Sequence, residues 1–187
     1  EARKIRDNYT DDDIDAIADQ ATATDDTIAR TEFIQKKAHV ANNTGEHEWY
    51  TPPEFIEAAR EVFWSDLGDE TEEPITLDPA SSSKANETVQ AQRYFTKGDN
   101  GLEQRWDGTV WMNPPYSQPL VGQFVDKLLA ELSTGNILSA IVLVNNGTET
   151  AWGQNLIAHS TAVCFPAKRI KFIDADGNPG APLQGQM

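Results

Sequence analysis

Cysteine is almost absent from this chain. The single thiol, Cys164, cannot form an internal disulfide. No run of about 18 apolar residues offers a membrane span, and no signal-like stretch opens the chain, so a reducing cytoplasm is the expected compartment. The three histidines, His39, His47 and His159, lie far apart without metal-ligand spacing, which argues against a zinc site. Neither a Ser-His-Asp arrangement nor a phosphate loop is evident. Basic residues are also scarce: 15 Lys and Arg face 30 Asp and Glu, giving a net charge of -15 and an isoelectric point near 4.4. A polyanionic partner normally demands a basic footprint, so the overall balance by itself argues against nucleic acid. Two physical routes lead around that objection. Near 1 M salt the Debye length is about 3 Å, so a halophilic protein screens such repulsion. The carboxylates are also unevenly placed, many of them in residues 11–26 and 66–73, which read as solvated segments.

What remains is enough for one globular domain. With 187 residues, 39% of them hydrophobic, the chain can bury a sizeable core and perhaps carry a short appendage. Residues 1–44 read as that appendage, a helical amino-terminal arm or the remnant of an upstream domain. Thr10 before Asp11, Asp12 and Asp13 suits a helix start, and Asn42-Asn43-Thr44-Gly45 reads as a linker. From residue 45 to 187 helix and strand patterns alternate. An amphipathic helix carrying Phe55, Ile56, Ala59, Val62 and Phe63 is predicted after Pro52-Pro53, ending near Trp64. Short strands are predicted at 75–78, 93–96 and 109–112, with helices near 85–91, 119–132 and 148–158.

Residues 137–144 are the most apolar run and are expected to be a strand buried on both faces. Another strand is predicted at 161–165, where Cys164 reads as buried packing. Residues 170–173 and 183–187, around the turn-rich 174–180, are expected to close the sheet as an antiparallel hairpin. The class is therefore α/β, with a mainly parallel sheet and a terminal antiparallel hairpin.

Ligands of such sheets bind beyond the carboxyl ends of the strands. Two candidate segments sit there, Asp78-Pro79-Ala80-Ser81 and Asn113-Pro114-Pro115-Tyr116. The second carries chemistry. An aromatic exocyclic amine is a poor nucleophile because its lone pair is delocalised into the ring. The side-chain oxygen of Asn113 and the main-chain carbonyl of Pro114 can each accept one amine hydrogen, localising the pair. Pro115 stiffens the turn, and Tyr116 can stack on the face of a base, worth about 1–3 kcal/mol on single-strand platforms. A four-residue string also occurs as an ordinary turn, and its position directly after an apolar strand is what favours the chemical reading.

Several motifs in order carry a wider resemblance. Glu48-Trp49-Tyr50-Thr51-Pro52, Leu77-Asp78-Pro79-Ala80-Ser81, Val110-Trp111-Met112-Asn113-Pro114-Pro115-Tyr116 and Leu143-Val144-Asn145-Asn146, extended by residues 165–170 and 182–186, resemble phage-type DNA N6-adenine methyltransferases over residues 46–187. The resemblance implies a Rossmann-like, S-adenosylmethionine-dependent methyltransferase fold acting on adenine in double-stranded DNA, in a virus, a prophage or its host. It implies that Trp49, Tyr50, Thr51 and Pro52, with Asp78, Pro79, Ala80 and Ser81, flank S-adenosylmethionine, and that Asp99 contacts the cofactor's adenine. The chain departs from the general methyltransferase pattern after Asp78, where three serines and Lys84 replace a glycine-rich loop. Asn145 and Asn146 can contact base or cofactor, or simply satisfy their loop. Lys168, Arg169 and Lys171 are the best basic cluster and can hold DNA phosphates or form a solvated strand edge. Trp106, Trp111 and Trp152 read as core.

Two rival readings keep the fold. One changes the acceptor to RNA or a protein glutamine amide, and the other is a binding module without catalysis. The absence of an initial methionine, and an end at Met187 where the resemblance implies more of the last strand, lead us to expect a fragment or a processed form.

Overall fold

The computed structural model describes residues 49–68, 73–180 and 184–187, and the expected arm at 1–44 lies outside them. Among the described residues, four helices and four strands follow one another as α1 (Pro53–Leu67), β1 (Leu77–Asp78), α2 (Ser83–Val89), β2 (Arg93–Tyr94), β3 (Gly108–Met112), α3 (Leu120–Ser133), β4 (Ile137–Val142) and α4 (Ala151–His159). A single 3-10 turn, Gly101–Glu103, precedes β3.

The strands form one parallel sheet in the order β2-β1-β3-β4. After β1 the chain moves to one side to lay down β2, then returns to the other side of β1 with β3. The direction of winding thus reverses between β1 and β3, and the crevice beyond their carboxyl ends is where a sheet of this kind holds ligands.

Alternation along β3 explains the layering. Trp111 joins Ile56, Ala59 and Phe63 of α1, with Ile75, Leu143 and Ile170, on one face of the sheet. Val110 and Met112 face the other way and pack with Leu77, Trp106 and Phe124 and Leu128 of α3. A period of two thus feeds two cores from one strand. Each fully buried Ile or Phe among these contributes roughly 1.5–3 kcal/mol of transfer free energy. The buried tryptophans at 106 and 111 match the core reading.

Helix ends follow local chemistry. Ser82 caps α2 through its side chain, accepting from the Ala85 amide, and Thr150 caps α4 by accepting from Gly153. Proline at the start of α1 needs no intrahelical donor there, and Gly68 closes that helix in the left-handed region. On the buried face of α1 the pattern differs from expectation, because Val62 is exposed while Arg60 is buried. The Arg60 guanidinium is fully engaged: Nε donates to Glu73 at 3.0 Å, Nη1 to Glu57 at 2.5 Å, and Nη2 to the carbonyls of Thr88 and Val89 at the end of α2. Glu73, from a stretch read as solvated, is thus half-buried in an ion pair with the buried Arg60.

Three expectations for the second half are corrected. The strand at 137–144 is not buried on both faces: β4 ends the sheet among the described residues, and Leu138 is 72% exposed. Residues 161–165 form no strand and are exposed, Cys164 included. Among the described residues, the two expected arms of the terminal hairpin do not pair with each other either. The turn after Ile173 closes early, with Asp174 accepting from the amides of Asp176 and Asn178, so Ile173 bridges Pro179 instead of the last residues. Residues 185–187 run antiparallel to the end of the β4 segment, where Val144 and Met187 exchange both backbone hydrogen bonds and Asn146 donates to Gly185.

Candidate active site

β3 stops at Asn113 because two prolines follow, and proline has no amide to extend a central ladder. The loop they form lies beside the end of β1. Asn113 is half-buried and Pro114 is buried. Both ends of the Asn113 amide are held: Nδ2 donates to Thr51 Oγ at 3.1 Å, and Oδ1 accepts from the Tyr116 hydroxyl at 2.7 Å. The Tyr116 hydroxyl also lies 3.4 Å from the Leu143 carbonyl, and burial pushes its proton affinity far up, so it is a neutral donor. Its ring meets Phe172 edge to face, centroids 6.5 Å apart.

Thr51 reaches this loop from 62 residues away. The segment that carries it is fixed on its other side, where Tyr50 and Ile173 exchange backbone hydrogen bonds of 2.7 and 2.9 Å. Trp49, about one-third exposed, lies against Gly180, where a Cβ would come within 2.4 Å of the indole. Thr51 and Pro52 are buried.

At the end of β1, Asp78 is buried and accepts from the Ala80 amide at 3.2 Å. Desolvation dominates over that bond and over the nearby Ser81 hydroxyl, and pushes the Asp78 carboxyl up to about 6. The Ser81 hydroxyl is itself buried without a well-formed hydrogen bond. A buried carboxylate beside an unsatisfied hydroxyl is an arrangement that folding alone does not favour, and such groups cluster where a polar ligand binds.

The loop after β2 closes onto this point. At Gly101 a Cβ would fall 2.0 Å from the Pro79 carbonyl, so only glycine allows the approach. Asp99, two residues earlier, is exposed. Its carboxylate accepts from the amide and hydroxyl of Thr96, which hold its proton affinity below the ordinary range.

The remaining candidates lie beyond the end of β4 and in the segment after α4. Asn145 Oδ1 accepts from Gln186 Nε2 at 3.2 Å, whereas Asn146 is exposed. Lys168, Arg169 and Lys171 are exposed and lie on irregular backbone rather than on a strand edge. Lys171 directly precedes the Phe172 that contacts Tyr116.

The structure thus joins Thr51, Asn113 and Tyr116 directly, sets Asp78, Pro79, Ala80 and Ser81 at the neighbouring strand end, and clamps the Asp99 loop against Pro79. Lys168 and Arg169 are exposed on the segment after α4. Sequence reasoning missed two supporting residues. The sequence places Phe172 and Gln186 in the two arms of a hairpin, and Gln186 also in the resemblance, with no role at the site for either. Their roles are long-range, and no local pattern reveals them. Among the described residues, no group of three or more His, Cys, Asp and Glu side chains could hold a metal ion, and no helix is long and apolar enough to cross a membrane.

No curated protein and no solved structure matches the chain. A family model described as DNA N-6-adenine-methyltransferase (Dam) matches residues 37–184, which include β1 with Asp78, β3 with its Asn-Pro-Pro-Tyr loop, and the pairing residue Thr51. With the strand order, the site at the winding reversal and a match over most of its length, this chain belongs to the DNA N-6-adenine-methyltransferase (Dam) family.

Proposed function

We propose that this chain transfers the methyl group of S-adenosylmethionine to N6 of adenine in double-stranded DNA, with residues 45–187 as the methyltransferase domain. The observation that supports this most is the Asn113 amide, held at both ends at the close of β3, one strand from a buried Asp78.

An amide oxygen has two lone pairs. With one accepting from Tyr116, the other remains for an amine hydrogen, and the Pro114 carbonyl takes the second. The amine nitrogen then becomes pyramidal, and its lone pair points out of the ring plane. Pro115 keeps the turn stiff, so little reorganisation is needed as the bond forms. A paired adenine must leave the stack first, at a cost of a few kcal/mol. Stacking on Tyr116, backed by Phe172, offsets part of that cost.

The residues at the end of β1 fit a zwitterionic, hydroxyl-rich cofactor, because Asp78 and Ser81 leave polar demand unmet. In this reading Asp78, Pro79, Ala80 and Ser81 hold S-adenosylmethionine with Trp49, Tyr50, Thr51 and Pro52, and Asp99 borders its adenine. When bound, the cofactor supplies a methyl group already activated by its sulfonium. The chain's own task is alignment, which can supply several kcal/mol of the barrier reduction without metal or covalent intermediate. Asn145 and Asn146 border the base or cofactor, while Lys168, Arg169 and Lys171 contact phosphates. Cytoplasmic location and a phage origin belong to the same reading.

The test is transfer of labelled methyl from S-adenosylmethionine to unmethylated duplex DNA, at low and multimolar salt, with nucleoside analysis of the product. N6-methyladenine is the expected product, with a high-salt optimum if the acidity is halophilic. No transfer to DNA at either salt, with cofactor binding intact, would overturn the DNA reading in favour of an RNA or protein amide acceptor or a module without catalysis.

A further inference from the structure

We infer that Thr51 is a positioning residue for catalysis: its hydroxyl fixes which end of the Asn113 amide faces the substrate amine. This rests on the proposed role of Asn113 and deepens it, since a carboxamide is useful here in only one of its two orientations. With the oxygen toward the substrate it accepts an amine hydrogen. Flipped, it presents an NH2 group that repels the same amine.

The two orientations correspond to two hydrogen-bond networks. In one, Asn113 Nδ2 donates to Thr51 and the Tyr116 hydroxyl donates to Asn113 Oδ1. In the other, the amide is turned, Thr51 donates to the oxygen, and Tyr116 accepts from the nitrogen while donating to the Leu143 carbonyl. The distances separate them. The Tyr116 contact of 2.7 Å has the length of an O–H···O bond, and the Thr51 contact of 3.1 Å that of an N–H···O bond. The Leu143 carbonyl, at 3.4 Å, is too far to hold the Tyr116 proton firmly.

Thr51 suits this task because it cannot easily move. It is buried, it is followed by two prolines that lock the entry to α1, and it is preceded by Tyr50, which is pinned to Ile173 on both sides of one residue pair. Its Oγ is thus held in one place and delivered from a distant part of the sequence. Serine preserves that acceptor. Valine preserves the volume and removes it, leaving Nδ2 without its partner and the amide free to turn.

The experiment compares wild type, Thr51→Val, Thr51→Ser and Thr51→Ala for methyl transfer to duplex DNA, for affinity toward S-adenosylhomocysteine, and for thermal stability. The expected result is a kcat about 10- to 100-fold lower in the valine variant, in keeping with the effect of small misplacements on catalysis, with recovery of most of the rate in the serine variant. KM for DNA stays within about threefold of wild type, and the loss of affinity for S-adenosylhomocysteine, Thr51 lying among the residues proposed to hold the cofactor, is smaller than the loss of kcat. In an Asn113→Ala background, Thr51→Val adds no further loss, because both changes remove one unit.

A valine variant with wild-type kcat overturns the inference and leaves the reading of Asn113 intact. Loss of cofactor affinity with kcat preserved at saturation also overturns it, and leaves Thr51 with its proposed cofactor-holding role alone. Should the valine variant fail to fold, alanine against serine provides the same contrast. An inactive wild type overturns the methyltransferase reading and this inference with it.

Discussion

The ends of β1 and β3 and the segment after α4 are built in opposite ways. At the first, backbone conformation is imposed by regular strands that stop at proline-containing turns, and the polar side chains at those stops are buried or half-buried and hydrogen-bonded. At the second, residues 160–187 hold no strand longer than a single bridge and are mostly exposed among the described residues. They are tied down at Ile170, Ile173 and Gln186. The difference separates rigidity used for chemistry from tethering used for closure. A group that must meet a reacting atom is placed by a sheet, and a segment that walls the site needs only a few anchors.

Breaking the first region at its centre should give the largest effect. Asn113→Ala removes the acceptor that localises the amine lone pair, and by comparison with the loss of a single preorganised electrostatic group elsewhere, kcat should fall about 10²- to 10³-fold. Cofactor-analogue affinity should hold, since the amide lies on the substrate side in this reading. Nucleoside analysis of methylated DNA measures the first and calorimetric titration the second. Normal turnover would remove Asn113 from the mechanism.

Asp78 sharpens the comparison through pH. Its carboxyl titrates near 6 in the fold against an ordinary 3.8, because burial disfavours the charged form more than its hydrogen bonds favour it. The native state therefore binds this proton more tightly than the unfolded chain does. Stability linked to it is fully present below about pH 3.8 and is lost as pH rises through 6, a change on the order of 3 kcal/mol. Asp78→Asn should match wild type near pH 4 and become progressively more stable by comparison as pH approaches 7, while binding S-adenosylmethionine more weakly. Parallel denaturation curves for the two proteins across that range would show that Asp78 stores no such cost.

How much of this could be read from residues alone follows the same division. The strand that ends at Asn113 is legible because its cause is local: an apolar run meets two prolines. Asp78 is legible for a similar reason, as a short strand running into Pro79. Which strands pair, and along which edge, is not a local property. Residues 161–165 have strand composition and 137–144 have the composition of a buried strand, yet each needs a partner to realise it, and composition does not name the partner. Among the described residues the expected hairpin arms, 170–173 and 184–187, do not pair with each other, and the turn between them carries a local reason. Asp174 closes its own turn by accepting from the Asp176 and Asn178 amides, Asp174 and Gly180 donate across it to the Asn178 and Phe172 carbonyls, and Ile173 gives both its amide and its carbonyl to Tyr50. Arg60 was hidden because a charged residue on a helix is ordinarily solvated, and its four partners come from Glu57, Glu73 and the end of α2.

The smallest effect is expected at the anchor of the second region. Gln186 is buried, accepts from the Ile170 amide at 3.3 Å, and donates to Asn145 Oδ1 at 3.2 Å and to the Gln184 carbonyl at 3.0 Å. One side chain therefore ties the Ile170 stretch to the pair that residues 185–187 form with the backbone of 144–146. Gln186→Ala leaves a buried amide and a half-buried carboxamide without these partners, a cost of about 1–3 kcal/mol, or a fall in Tm of roughly 2–4 °C for each kcal/mol in a chain of this size. The loss should be local. Hydrogen exchange should accelerate at Ile170 and at the amides of Val144 and Met187, and stay slow across β1 and β3. Methyl transfer should fall only a few-fold, because Phe172 would back Tyr116 less firmly while Asn113 keeps both of its own partners. Exchange that accelerates equally in β1 and β3 would mean that the two regions unfold as one unit, and that the carboxyl-terminal anchor is as much a part of the catalytic framework as the sheet itself.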